Sequence, residues 1–351
     1  MRRYLLALTA GAALALMSAA LVFGTTFQLV LVATGDIQAA KWGSSSITWT
    51  MNPTNTIVYS GSGTLASASD LQTLLANAFG VWSGAQLQGT AADTLNFTYN
   101  GTVGSSADFN SGDCINTLGF ITNLGTAIIA ETRVSEIITG TPGKAVGTYT
   151  CAGASQTCPL EVCITDADVE FNTTFNFYTP AYANPPANAG LFDLRTVAIH
   201  EIGHMIGLDH TGLANAIMFP YGDSGNGGVK SALAVDDIMG VSESYTNSPV
   251  LASIGSVHGT VTLDGNAAFG AHVAAIDTTT GNIVTDTLTM TDGSYVMYMP
   301  AGSYNVVVVP LASDSTTGDT SITNYSGFTA GFTPKGGSPP TNPTNYTGQL
   351  Y

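Results

Sequence analysis

The chain has 351 residues and a formal net charge of −16, with 8 lysines and arginines against 24 acidic residues. So few cations argue against nucleic-acid binding and against docking on anionic membrane surfaces, because both need a basic patch. Charged residues make up only 9% of the chain, so hydroxyl and amide side chains carry much of its solubility.

The N-terminus opens with Met1-Arg2-Arg3 and then runs apolar from Tyr4 to about Phe23. This is the basic n-region and apolar h-region of a secretory signal, with Ser18-Ala19-Ala20 as a small-residue cleavage site. Apolar character resumes at Phe27-Gln28-Leu29-Val30-Leu31-Val32. Left uncleaved, residues 1–40 would therefore supply an N-terminal membrane anchor. Cleavage and release outside the cell is the favoured expectation, with an outward-facing anchored form as the alternative. No cysteine closely follows the h-region, so a lipoprotein is not expected, and no second membrane segment appears.

Apolar residues at Leu71, Leu74, Leu75, Ala78, Phe79 and Trp82 recur every three or four positions and predict an amphipathic helix. Ser69 or Asp70 is its expected N-cap. The four cysteines, Cys114, Cys151, Cys158 and Cys163, are even in number, which in an exported chain suggests two disulfides with three possible pairings. Cys158 and Cys163 as buried thiols are the alternative, and their spacing with Cys151 does not follow a zinc-finger pattern. Ala167-Asp168-Val169-Glu170-Phe171-Asn172 alternates as a half-buried strand would, with Asp168 on its solvent face.

The most informative stretch is His200-Glu201-Ile202-Gly203-His204-Met205-Ile206-Gly207-Leu208-Asp209-His210, which spells HExxHxxGxxH. Residues four apart on a helix lie about 40° from one another around the axis, so His200 and His204 share a face. Gly207 tolerates a positive φ and can end the helix, turning the chain so that His210 becomes a third ligand. Three protein ligands leave a fourth position open, the arrangement of a catalytic zinc site. Glu201 is then the general base toward water at that position. Three of the five histidines fall in this motif. The other two, His258 and His272, are expected to be unrelated to catalysis.

With Ala216-Ile217-Met218-Phe219-Pro220-Tyr221 following closely, the chain resembles the metzincin metalloproteases, and within them the matrixin-like branch. The resemblance implies that Met218 sits in a tight turn beneath the ligands as their hydrophobic base. Tyr221 lies three residues after Met218 and is not assigned as a ligand. Lys41-Trp42 with Ile47-Thr48-Trp49-Thr50-Met51 is similar to the matrixin opening strand. The Leu71–Trp82 segment is similar to the family's first long helix. Ala167–Asn172 is similar to the strand that borders the cleft and pairs with substrate, and Asp236-Asp237-Ile238-Met239-Gly240, running on to Tyr245, to the last helix. The similarity covers about residues 41–248. Thr211 departs from the serine or aspartate common after the third histidine, and no cysteine-switch segment precedes the domain. Asp168 matches a strand aspartate that binds calcium in some relatives, but the accompanying Gly-Asp-rich loop is not recognisable, so Ca2+ is unsupported.

A boundary falls near Asn247-Ser248-Pro249, after which short strands alternate with turns. Ser256–Val261, Ala271–Ile276, Ser294–Met299 and Ser303–Val309 are strand-like, and Asp264-Gly265 is a hairpin signal. Turns about every ten residues indicate a small β-sandwich over 249–312, similar to carboxypeptidase regulatory-like, or transthyretin-like, domains, which are non-catalytic. Residues 313–351 are rich in Thr, Ser, Gly, Asn and Pro and read as a tail, with an edge strand within 321–332.

The expected protein is a monomeric, secreted zinc endopeptidase: an α+β metzincin-type domain with a twisted sheet, an active-site helix and a Met-turn, then an all-β sandwich. One zinc ion is its cofactor and a polypeptide its substrate. Gly222–Val235 is expected to wall the specificity pocket. The alternative is a surface-binding or adhesive protein using the β-sandwich, against which an intact Glu201 speaks. A hydrolase of non-peptide amides is disfavoured by the cleft strand, which suits an extended peptide.

Overall fold

The structure is a computed structural model. It describes residues 29–31, 37–60, 65–104, 109, 112–122, 124–126, 128–138, 147–151, 153–181, 190–222, 230–290, 292–309 and 349–350. The signal-like residues 1–28, the loop 223–229 and the strand expected within 321–332 lie outside the described residues. Leu29–Leu31, from the second apolar run, pairs antiparallel with Ile37–Ala39. No helix among the described residues is long and apolar enough to cross a membrane.

The larger part is built on a six-stranded sheet. Its main path runs Ala130–Ile138, Val162–Asn172, Thr117–Ile121, Ser46–Asn52, Asn96–Thr102, and Lys41–Trp42 also pairs with Val162–Asn172. Only Ala130–Ile138 runs antiparallel to its neighbour. Helix α1 (Ala68–Ser83) buries the six apolar positions that the spacing predicted. Its Phe79 ring stacks on Trp49 of the sheet with centroids 4.7 Å apart. The N-cap is Ser67 rather than Ser69 or Asp70. Ser67 Oγ accepts from Asp70 N at 3.2 Å and Asp70 Oδ2 accepts from Ser67 N at 3.0 Å. This capping box starts the helix before its apolar stripe begins. Helix α2 (Leu194–Met205) packs on α1 and on the sheet, and α3 (Val235–Ser244) matches the helix expected from Asp236 onward.

The strand at Val162–Asn172 corrects the expectation for residues 167–172. Every residue in it is buried, and Asp168 is 0% exposed rather than on a solvent face. The strand lies between two others, so it offers no free edge. Among the described residues the outer strands of this sheet are Ala130–Ile138 and Asn96–Thr102, and Ala130–Ile138 is the one that lies against α2. Alternation had suggested one wet face, but the polar side of the strand is roofed by residues 112–117. Gly112 N donates to Asp166 and Thr117 N to Asp168.

The cysteines pair as Cys114–Cys151 and Cys158–Cys163, which selects one of three connectivities and excludes free thiols at 158 and 163.

Beyond the short helix Ser248–Leu251, Ile254–Thr260 pairs with Ser294–Pro300. His272–Asp277 lies between Ile283–Leu288 and Tyr304–Val309. The strand Ile283–Leu288 is additional to the four expected. Asp264 and Gly265 have φ of 51° and 80°, as a tight two-residue hairpin turn requires. Gln349–Leu350 pairs with Tyr304–Val309, so the end of the tail is part of a sheet. Both sheets contribute to one buried cluster of Ala268, Ala271, Val273, Ala275, Met297, Met299 and Val308.

Candidate metal centre

Helix α2 carries His200, Glu201 and His204. It is capped by Asp193, whose Oδ1 accepts from Thr196 N at 2.6 Å, and two indoles anchor it. Trp82 Nε1 donates to Ile199 O and Trp42 Nε1 to Met205 O, each at 2.8 Å. The helix then stops. Gly207 has φ 97°, Gly207 N donates to His204 O, and Leu208 N donates to Gly203 O. These bonds satisfy last-turn carbonyls while the chain reverses. A Cβ at Gly207 would run into the Ala40 carbonyl oxygen, so glycine is required there for space as well as for φ.

The reversal brings His210 to the other two histidines. One ligand atom from each of His200, His204 and His210 lies within 4.8 Å of the others, the only such group of three among the described residues. His200 Nδ1 lies 2.7 Å from Ile217 O and His204 Nδ1 2.9 Å from Leu208 O. A carbonyl only accepts, so both Nδ1 atoms carry the proton and both Nε2 lone pairs are left for a ligand. His204 Nε2 and His210 Nε2 are 3.2 Å apart. Two nitrogens held at about 2.0–2.1 Å on a tetrahedral ion stand about 3.3 Å apart, so this donor set fits zinc. Burial pushes the His200 imidazole down to about 4, which keeps it in the neutral form a metal needs.

Glu201 points to the outer strand Ala130–Ile138 and is 2% exposed. Thr132 Oγ1 lies 2.7 Å from its Oε2 and 3.0 Å from its backbone O. Burial raises the Glu201 carboxyl to about 7, against the lowering effect of Thr132. Met218 lies beneath α2, where a Cβ on Gly203 would strike its sulfur and the Trp82 ring. Met218 is 2% exposed. Its turn is pinned by Asp237, whose Oδ2 accepts from Ile217 N at 2.9 Å and Oδ1 from Met218 N at 3.1 Å.

Thr132 and Asp237 had no signal in the sequence, because both act across long sequence separations and their residue types are ordinary for a strand and a helix first turn. His272, expected to be unrelated to catalysis, is buried close to the segment after His210, where a Cβ on Gly212 would lie 2.7 Å from its Nε2. Asp168 stands beside Asp166, each with one buried oxygen lacking a hydrogen-bond partner. Burial first, and the neighbouring Asp166 next, raise Asp168 to about 8.

The Matrixin family model matches residues 148–246, a stretch that contains the three histidines, Glu201 and Met218. The chain is 47% identical over 57 residues to Metalloendoproteinase 5-MMP of Arabidopsis thaliana, covering 16% of this chain and 15% of that protein. It is 41% identical over 58 residues to Karilysin of Tannerella forsythia, covering 16% and 11%. It is 45% identical over 58 residues to Metalloendoproteinase 1 of Glycine max, covering 16% and 18%. The chain thus spans only a small fraction of the length of the curated relatives it matches. Over this stretch the similarity supports a metzincin-like metalloprotease with an α+β catalytic domain.

Proposed function

We propose that the protein is an exported zinc endopeptidase, with His200, His204 and His210 as metal ligands, Glu201 as general base and Met218 as the base of the site. The observation that carries this reading is the convergence of three imidazoles, two with their tautomers set by backbone carbonyls, beside a buried carboxylate on the same helix. When bound, zinc supplies Lewis acidity for the scissile carbonyl and brings the pKa of water toward neutrality. Glu201, raised to about 7, would serve as the proton acceptor for water at the open position and as the proton donor to the leaving amine. The Thr132 hydroxyl holds Glu201 in place. The free edge of Ala130–Ile138, rather than residues 167–172, is the strand suited to pairing with an extended peptide.

Export is supported by the signal-like N-terminus and by two disulfides that use all four cysteines. The paired sheets after Leu251 are read as the transthyretin-like accessory module.

The test is incubation of the full chain and its Glu201→Ala variant with a proteome-derived peptide library, with and without a zinc chelator, read by mass spectrometry. Cleavage by the wild type alone, abolished by the chelator, is expected. A folded, zinc-loaded wild type that cleaves nothing would overturn the endopeptidase reading in favour of a binding role.

A further inference from the structure

A free-standing accessory module would turn polar residues of its outer strand to solvent. In Ile283–Leu288 the reverse holds. Thr285, Asp286 and Thr287 are buried, Asp286 to 2% exposure, and the first two bond into the metalloprotease-like part. Asp286 Oδ1 accepts from Thr211 Oγ1 at 2.6 Å, and Oδ2 accepts from Gly212 N at 2.9 Å and pairs with His272 Nε2. A buried carboxylate is tolerable only when donors surround it, and here they come from both parts of the chain. Thr211 directly follows His210, and its backbone N donates to Met218 O. The same segment is therefore tied to the Met-turn on one side and to Asp286 on the other.

A second junction lies alongside. Asp236 Oδ1 accepts from Thr285 Oγ1 at 2.8 Å and from Asp286 N at 3.1 Å. Its neighbour Asp237 holds the Met-turn amides. Two adjacent aspartates at the start of α3 thus divide their work, one gripping the C-terminal strand and the other the floor of the metal site. Gly212 seals the fit, since a Cβ there would lie 2.7 Å from both Asp286 Oδ2 and His272 Nε2.

We propose that the C-terminal β-region is a positioning part of the metal centre, with Asp286 holding Thr211 and Gly212 so that His210 faces the other two histidines. This rests on the reading of His210 as a zinc ligand. Asp286 touches no metal or substrate and acts through the loop. The reason for a cost in affinity is geometric: His210 sits on an irregular loop, whereas His200 and His204 are oriented by a helix. Loss of an orienting partner behind a metal ligand typically weakens metal binding about 10–100-fold.

The experiment uses the full chain and its Asp286→Ala, Thr211→Val and Thr211→Ser variants. Zinc affinity is measured by competition with a chromophoric chelator, and the visible spectrum of the cobalt(II) form is recorded. Asp286→Ala and Thr211→Val are expected to bind zinc about 10–100-fold more weakly with altered cobalt bands. Thr211→Ser, which keeps the hydroxyl, should return close to wild-type affinity and spectrum. If Asp286→Ala fails to fold, the Thr211 pair decides. Variants that melt earlier but keep wild-type affinity and cobalt bands overturn the proposal and leave Asp286 as a mere interdomain clamp. A wild type that binds no zinc overturns the metal reading itself, and this proposal with it.

Discussion

The two parts of the molecule hold themselves together differently. In the larger part, a buried cluster from Ala40 to Tyr245 joins the sheet to α1, α2 and α3. Aromatic contacts such as Trp49–Phe79 and Phe120–Phe171 run through it. Among the described residues of the C-terminal part the buried cluster is seven residues, three of them alanines, with Val257, Val261, Val284, Tyr295, Tyr304 and Val306 partly buried against it. A core that small buries little apolar surface and gives marginal stability by itself. Its buried polar face, Thr285, Asp286 and Thr287, is satisfied in part by bonds to Asp236, Thr211 and Gly212. The smaller part thus draws polar partners from the larger, and the bonded residues of the larger include Thr211 and Gly212, which follow His210.

The largest expected effect isolates the chemistry from both cores. Glu201→Ala should lower peptide cleavage by about 10²–10⁴-fold, while zinc content and the melting curve stay near wild type. A parallel fall in zinc content would show that Glu201 also maintains the site. Next, Met297→Ala in the small core should cost about 2–5 kcal/mol. Urea unfolding followed separately in the two parts should show the C-terminal part melting first. Coincident transitions for the variant would instead mean that the two cores unfold as one unit.

A smaller effect concerns pH. Asp168 and Asp166 are raised by burial from 3.8 to about 8 and about 6. A carboxyl whose folded pKa lies above its unfolded value favours the fold in its protonated form. That contribution is complete below about pH 4 and is lost as pH rises through 6 and 8. Asp168→Asn should therefore be more stable than wild type at pH 8, by about 1–3 kcal/mol, and nearly equal to it at pH 4. Urea midpoints at the two pH values check this, and an equal effect at both would refute the linkage. Last, Thr132→Val should reduce kcat about 3–10-fold by freeing Glu201 of one hydrogen bond, leaving KM close to unchanged. A change in KM alone would place Thr132 in substrate binding instead.

Local rules made much of the design legible in the sequence. The three-and-four spacing from Leu71 to Trp82, the four-residue step from His200 to His204 and the left-handed turn at Gly207 are short-range geometry, readable because each depends on neighbours along the chain. So is the Asp264-Gly265 hairpin. The tertiary structure decided whatever depends on segments meeting from far apart. Periodicity could not tell that Val162–Asn172 is roofed on its polar side, or that Ala130–Ile138 is the outer strand beside α2, because sheet order follows from non-local pairing. The cysteine pairing was open for the same reason. Thr132, Asp237 and Asp286 gain their roles only because folding brings them 69, 19 or 20, and 75 positions along the chain to Glu201, the Met-turn and Thr211. A hydrogen bond across that span leaves no periodic trace in the residues that make it.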